Sequence, residues 1–169
     1  FQVVVFVVDF TLHLGNQREL LCLLLGHEAE QVRAALSGKR VEFVENRDYA
    51  AGLSTSLRCG IAAVSQEVEC ALVCLGDMPR ITPLEIDALL DDFSPAEGRA
   101  ICVPTHGGKR GNPVVIGRRF FAEIQDIEGD VGARHLIGAY PELVHEVEME
   151  GDAILLDIDT PEALARLTG

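Results

Sequence analysis

Short apolar runs alternate with polar segments along the whole chain, and most of these runs are too short to form a helix. Such runs, rich in Val, Ile and Leu, are typical of strands that are buried on both faces of a sheet. We therefore predict strands at residues 1–8, 41–44, 71–75, 100–104 and 114–116, with further apolar runs at 20–25 and 154–156. The alternating segment 143–149 predicts a strand at an edge of the sheet.

Helical segments lie between these runs. Apolar residues at Ala29, Val32 and Leu36 have helical spacing. Helices are predicted at residues 27–36, 57–64, 83–93, 118–124, 130–137 and 161–167. Because strands alternate with helices over short connections, we predict an α/β fold of three layers, a mostly parallel sheet with helices on both faces. Residues 110–149 are less regular and predict an antiparallel arm.

The segment 71–83 (ALVCLGDMPRITP) combines a buried strand with a candidate functional residue. Asp77 follows Gly76 where the strand reaches the carboxyl edge of the sheet, the edge at which ligands bind in open α/β sheets. A carboxylate held there by a turn suits a hard metal ion such as Mg²⁺, although Asp77 can equally be an ordinary turn residue. Thr82 and Pro83 predict a capped helix start.

Two other segments carry charged residues. Asp157 and Asp159 follow the apolar run 154–156, and a glycine-rich loop supplies Lys109 and Arg110. Separated carboxylates, cations and glycines together match metal-assisted phosphoryl or nucleotidyl transfer, because the metal bridges phosphate oxygens while cations offset the charge on the leaving pyrophosphate. Both segments also have a plainer explanation.

The plainer explanations concern local structure alone. The loop 105–113 can be a mobile surface hairpin, and Asp159 or Thr160 can cap a helix whose first residue is Pro161. Likewise, the hydroxyl residues 54–56 stand before the predicted helix 57–64, where they can cap free backbone N–H groups or bind a polar ligand. Either role is compatible with the sequence.

Charge restricts the partners. The chain has 14 basic and 27 acidic residues and a net charge of −13, so it would repel a nucleic-acid backbone or an anionic membrane. We expect neither partner, whereas a nucleotide is compatible because Mg²⁺ and a few cations can bind its phosphates. The length of 169 residues predicts one domain over residues 1–169.

Cysteine usage indicates the compartment. The five cysteines form no C-x-x-C pair, so we expect neither disulfides nor a structural zinc site, and a reducing cytoplasm fits. Cys59 is expected to be a packed helix residue rather than an activated thiol. Residues 1–10 are apolar but contain Asp9 and no preceding basic residue, so neither a signal peptide nor a membrane span is expected.

Six segments between residues 20 and 167 stand in a recognisable order. They are LGHEAEQV (25–32), GLSTSLRCGI (52–61), CLGDMPRITP (74–83), KRGNPVV (109–115), GDVGARHLI (129–137) and LLDIDTPEAL (155–164). As a set they resemble the molybdenum cofactor nucleotidyltransferase family, most closely its cytidylyltransferase branch and the MobA-like NTP transferases. No single segment is specific alone.

The resemblance implies a Rossmann-like fold of the nucleotide-diphospho-sugar transferase type. It also implies transfer of CMP or GMP from CTP or GTP to molybdopterin, with Mg²⁺ and release of pyrophosphate. Asp77 would be the metal-binding catalytic residue, completed by Asp157 or Asp159. The implied nucleotide-binding residues are Ser54, Thr55, Ser56 and Gly76, and the implied residues of the pterin side are Lys109, Arg110, Gly111 and Asn112.

Residues 3–20 (VVVFVVDFTLHLGNQREL) depart from the family pattern. The family has here a strand followed by a glycine-rich loop that cradles the triphosphate, and Gly15 and Arg18 are poor substitutes for it. We therefore expect the N-terminal nucleotide loop to be missing or incomplete in this sequence. Two alternatives follow: a non-catalytic relative that serves a molybdenum hydroxylase, and an enzyme that transfers the nucleotide to a sugar or polyol phosphate.

Overall fold

The computed structural model describes residues 5–10, 21–26, 29–64, 68–129, 132–158, 160 and 165. Within them, an eight-stranded sheet consists of β1 (Val5–Phe10), β2 (Leu21–Leu25), β3 (Glu42–Glu45), β4 (Cys70–Leu75), β5 (Ile101–His106), β6 (Lys109–Arg110), β7 (Val114–Gly117) and β8 (Val144–Glu148). The α-helices of this part are α1 (Ala29–Ala35), α2 (Leu53–Ala63), α3 (Pro83–Asp91), α4 (Phe121–Ile124) and α5 (Arg134–Ala139). Most of the predicted helix 161–167, residues 11–20 with the position expected for the N-terminal nucleotide loop, and Asp159 lie outside the described residues.

The predicted α/β class is confirmed, but the predicted mostly parallel pairing is wrong. In the described sheet β1 is antiparallel to β2 and β4, and β7 is antiparallel to β4 and β5, as is β6 to β5. The parallel pairs are β2 with β3 and β5 with β8. Apolar runs do not record strand direction, and β6 follows β5 through a tight turn, which makes that pair antiparallel.

Five strands nevertheless run in one direction. β2 and β4 are both antiparallel to β1, β4 and β5 are both antiparallel to β7, and β3 and β8 are parallel to β2 and β5. The carboxyl ends of these five strands therefore lie at the same edge. We call this edge the C-terminal edge; the residues that directly follow the strands there are Gly26, Asn46, Gly76, Gly107 and Met149.

Two hydrophobic cores flank the sheet. Along β4, Ala71 and Val73 belong to one core and Leu72 belongs to the other, as the alternation of side chains in a strand requires. Leu57 of α2 packs in the first core and Leu89 of α3 in the second. We name the two sides of the sheet the α2 face and the α3 face, and the predicted three layers are confirmed.

Most predicted elements are present with shifted ends. The start of α3 is as predicted: Thr82 is its N-cap, and the reciprocal hydrogen bonds of Thr82 and Glu85 form a capping box. β8 lies at an edge of the sheet and pairs with β5, as its alternating pattern predicted. The apolar run 154–156 is not a strand, because Ala153–Leu155 forms a 3₁₀ turn that buries Ile154 in the core of the α3 face.

None of the helices in the described ranges is both long and apolar enough to cross a membrane.

Candidate functional site

Asp77 lies at the C-terminal edge, in the turn that ends β4. The backbone N–H of Ile158 donates a hydrogen bond to the carbonyl oxygen of Asp77 at 2.9 Å. The turn that contains Gly76 and Asp77 therefore lies beside the segment that contains Asp157. Asp77 is half-buried and Asp157 is exposed. The structure thus brings together the two segments from which the sequence predicted a metal site.

The same short segment also contacts the predicted pterin side. The N–H of Asn112 donates to the carbonyl oxygen of Ile154 at 3.0 Å. Gly111 lies so close to Ile154 that a Cβ atom on Gly111 would be 2.2 Å from this oxygen. Residues 154–158 therefore join Asp77 to the loop that carries Gly111 and Asn112.

The basic loop is partly a β-hairpin. Lys109 pairs with His106 across it, and Gly107 and Gly108 turn the chain with φ angles of +57° and +75°. Lys109 is exposed and forms no ion pair with any residue in the described ranges. The plainer alternative for this loop was a mobile surface hairpin, and the hairpin itself is present. The backbone is tied down, however, because the N–H of Gly111 donates to the carbonyl of Pro104 at 2.9 Å.

The hydroxyl residues occupy the first turn of α2. This helix begins at Leu53 with Gly52 as N-cap, and no side chain caps it. The predicted capping role of Ser54, Thr55 and Ser56 is therefore wrong. Gly52 has a φ angle of +113°, a conformation open to glycine, and its position starts the helix one turn earlier than the sequence predicted. All three hydroxyl residues are buried.

Asn46, directly after β3, organises these hydroxyls. Its Nδ2 donates to Thr55 Oγ1 at 3.0 Å and to Ser56 Oγ at 2.9 Å, and its Oδ1 accepts from the N–H of Asp48 at 3.1 Å. Asn46 is only 5% exposed. The Thr55 hydroxyl in turn donates to the carbonyl of Gly52 at 2.8 Å. The amide is thus held rigidly, and it fixes where both hydroxyl oxygens lie.

The hydroxyl cluster and Asp77 share an edge but are not adjacent. β3, which Asn46 follows, is separated from β4 by β2 and β1. With a strand spacing of about 4.8 Å, the ends of β3 and β4 are about 14 Å apart. The structure therefore places the hydroxyl residues 54–56 near the end of β3, an outer strand, whereas Asp77 follows β4 in the middle of the sheet, directly after Gly76.

The donor set suits Mg²⁺. Asp77 and the exposed Asp157 could supply carboxylate oxygens, and Mg²⁺ is usually held by one or two carboxylates together with water and substrate phosphates. Among the described residues, no three side chains of His, Cys, Asp or Glu form a metal-binding group. A site of two carboxylates is compatible with this finding, since it would leave coordination positions for water and phosphate oxygens.

The sequence interpretation missed Asn46. An asparagine directly after a predicted strand is nevertheless a recognisable signal for a polar group at the sheet edge. The interpretation of Cys59 is confirmed, since burial and the nearby Asp48 carboxylate raise the pKa of its thiol and so disfavour the reactive thiolate.

The profile of the MobA-like NTP transferase domain matches residues 12–145 of this sequence. The chain belongs to this family. A molybdenum cofactor cytidylyltransferase of Escherichia coli is 30% identical over 145 residues, which cover 84% of this chain and 70% of that protein. A nicotine blue oxidoreductase of Paenarthrobacter nicotinovorans is 26% identical over 162 residues, which cover 93% of this chain and 78% of that protein.

A solved structure agrees with the family. Rv0371c from Mycobacterium tuberculosis, in complex with manganese, has a TM-score of 0.73 and 28% identity, and the match covers 90% of this chain and 78% of that one. The resemblance found in the six segments is therefore confirmed, and this MobA-like NTP transferase has the fold and the nucleotide substrate class of a nucleotidyltransferase family. A relative named as an oxidoreductase indicates that the fold serves more than one chemistry.

Proposed function

We propose that this MobA-like NTP transferase moves CMP, or GMP, from CTP or GTP to the terminal phosphate of molybdopterin and releases pyrophosphate. The main support is the hydrogen bond from the N–H of Ile158 to the carbonyl of Asp77, because it brings the two acidic segments to one point of the C-terminal edge. Similarity to a molybdenum cofactor cytidylyltransferase supports the choice of acceptor and of CTP.

Asp77 and Asp157 would hold Mg²⁺, and Asp159, in the same motif, is the further candidate ligand. When bound, Mg²⁺ would neutralise negative charge on the substrate phosphates. The chain itself then has to bind and orient two substrates, since nucleotidyl transfer requires little covalent chemistry from the protein. A relative of similar fold in complex with manganese supports a divalent metal.

Lys109 would bind phosphate oxygens of the acceptor or of the leaving pyrophosphate. It is exposed on the hairpin and is not neutralised by an ion pair with a described residue. Arg110, Gly111 and Asn112 would line the pterin side. The contact of Gly111 and Asn112 with Ile154 supports this assignment, because it keeps the pterin side beside the segment that leads to Asp157.

Ser54, Thr55 and Ser56 would form the nucleotide side together with Gly76. The Ser56 oxygen accepts a hydrogen bond from Asn46, and its own proton makes no hydrogen bond within the described ranges, so it can donate to a nucleotide oxygen. The separation of about 14 Å between the ends of β3 and β4 leaves room for an extended nucleotide.

We propose that the reaction takes place in the cytoplasm.

The deciding measurement is pyrophosphate release from each nucleoside triphosphate, with and without molybdopterin, by protein that carries its natural N-terminus. We expect release that requires CTP or GTP, Mg²⁺ and molybdopterin. Release that requires a sugar or polyol phosphate instead would contradict the assignment of molybdopterin as the acceptor. Tight binding of molybdopterin or of a molybdenum hydroxylase without any release would favour the non-catalytic alternative, and oxidation of a reduced nicotinamide cofactor would favour an oxidoreductase.

A further inference from the structure

A second group of side chains lies on the α2 face beside the basic hairpin. In the register of the sheet, Thr105 of β5 pairs with Arg110 of β6 on one side and with Glu148 of β8 on the other. Two residues earlier on each strand, Val103 of β5 pairs with Glu146 of β8. Because paired residues share a face of the sheet, two glutamates and the Thr105 hydroxyl line the hairpin on its α2 face.

Glu148 uses both carboxylate oxygens to hold the hairpin. Its Oε2 accepts a hydrogen bond from the Thr105 hydroxyl at 2.8 Å, and its Oε1 accepts one from the backbone N–H of Gly107 at 3.1 Å. These two donors lower the pKa of the Glu148 carboxyl below its ordinary value, with the Thr105 hydroxyl contributing most. The carboxylate is therefore ionised at neutral pH, and hydrogen bonds to an ionised carboxylate are stronger than those to a neutral acceptor.

The turn has few other contacts that could fix it. A Cβ atom added to Gly107 or Gly108 would meet no atom within 4 Å, so the turn is not packed against the rest of the protein. Beside it, the ring Nδ1 of His106 lies 2.9 Å from the carbonyl of Met149, which anchors the end of β5 but not the turn itself. In the described part of the chain, the hydrogen bond from the Gly107 N–H to Glu148 therefore joins the turn to β8.

The two cations of the hairpin differ in their surroundings. Arg110 donates from Nε to Glu146 Oε1 at 2.6 Å, so its charge is already paired. Lys109 has no such partner among the described residues. Because residues 106 and 109 pair across the hairpin, any movement of the Gly107–Gly108 turn moves Lys109.

We propose that Glu148 is a positioning residue, whose carboxylate holds the Gly107–Gly108 turn against β8 and so sets the place of Lys109 for a phosphate-bearing acceptor. This inference rests on the proposed function in assigning the acceptor phosphate to Lys109. The hold on the turn does not depend on that assignment, so the two parts can be tested separately.

The structural part is tested on Glu148→Gln and Thr105→Val, with Glu150→Gln as the matched control. Glu150 is an exposed glutamate two residues further on, so its variant makes the same charge change near the same hairpin. We expect native trypsin cleavage after Lys109 and Arg110, and amide hydrogen exchange at Gly107, to become several-fold faster in both test variants and to stay unchanged in the control. Equal rates in Glu148→Gln and Glu150→Gln would overturn the proposal.

The functional part is read from steady-state kinetics of the same variants. We expect Glu148→Gln to raise the KM for molybdopterin several-fold, with a smaller change in kcat and none in the KM for the nucleotide. The difference in this KM between wild type and Glu148→Gln should shrink as the pH falls through the lowered pKa of Glu148, because the wild-type carboxylate is then protonated and loses its hold on the turn.

The outcomes separate the two proposals. If the wild-type protein releases no pyrophosphate from any nucleotide, the proposed function fails, while cleavage and exchange still decide whether Glu148 holds the turn. If the enzyme is active and the hairpin loosens in Glu148→Gln without a change in the KM for molybdopterin, the positioning role is overturned.

Discussion

Gly111 and Ile154 lie in direct backbone contact: a Cβ atom on Gly111 would be 2.2 Å from the carbonyl oxygen and 2.8 Å from the carbonyl carbon of Ile154. The same oxygen accepts the hydrogen bond of the next residue, Asn112, at 3.0 Å. The contact joins the predicted pterin loop to the segment that leads to Asp157. It also explains why this loop position is a glycine.

Gly111→Ala should therefore lower stability and separate the two segments, because backbone atoms would have to move to accommodate the methyl group. We expect a loss of about 1–3 kcal/mol in the free energy of unfolding, measured by urea denaturation. Gly138→Ala is the control: it lies in α5, and its added Cβ would meet nothing within 4 Å. The control should be neutral or stabilising by about 0.5–1 kcal/mol, and equal losses in both variants would refute the contact.

Asp77→Asn should remove metal-dependent turnover with little loss of stability. The substitution keeps the shape of the side chain and removes the charge that would hold Mg²⁺, so we expect kcat for pyrophosphate release to fall roughly a hundredfold or more. Asp152→Asn is the control, since Asp152 is an exposed residue that faces Arg80 at 4.0 Å on the same side of the molecule. Wild-type turnover in Asp77→Asn would show that another group binds the metal.

Asn46→Ala should destabilise the protein more than Ser56→Ala does. The first variant removes the three side-chain hydrogen bonds of a buried amide and should lower the free energy of unfolding, measured by urea denaturation, by about 2 kcal/mol.

Ser56→Ala should raise the KM for the nucleotide more than it lowers kcat, because it removes ground-state binding. Ser94→Ala, a half-buried serine before β5 at the opposite edge, should change neither constant. A nucleotide KM that stays the same in Ser56→Ala would leave Ser56 with a structural role only.

Glu85→Gln should make the free energy of unfolding less dependent on pH in the acidic range. Burial raises the pKa of Glu85, but its hydrogen bonds with the Thr82 hydroxyl and backbone outweigh this effect and hold the pKa below its usual value. The stabilisation is therefore present above the pKa of a glutamate in the unfolded chain and is lost as pH falls through the lower folded pKa. Urea midpoints should differ between wild type and Glu85→Gln at pH 7 and converge in acid. Asp87→Asn, an exposed change in the same helix, is the matched control for the loss of one negative charge.

Local features were predictable because they depend on residues that are close in the chain. The capping box joins Thr82 to Glu85, three residues on, and the edge strand β8 follows from its own alternation. The alternating cores of the α2 and α3 faces likewise follow from apolar runs and helical spacing. For the same reason the family was recognisable from six short segments, each of them local.

Strand direction and the partners of the site residues depended on contacts between distant parts of the chain. Asn46 bonds to a hydroxyl nine residues away, and Thr105 bonds to Glu148 across 43 residues. Such bonds form only when the sheet has assembled, so no periodicity in the sequence records them. The amino-acid sequence by itself determined which segments are buried, where α3 begins and which family the chain resembles. Tertiary structure alone decided that Ile158 meets Asp77, because that hydrogen bond joins two backbone groups and leaves no mark in the side chains.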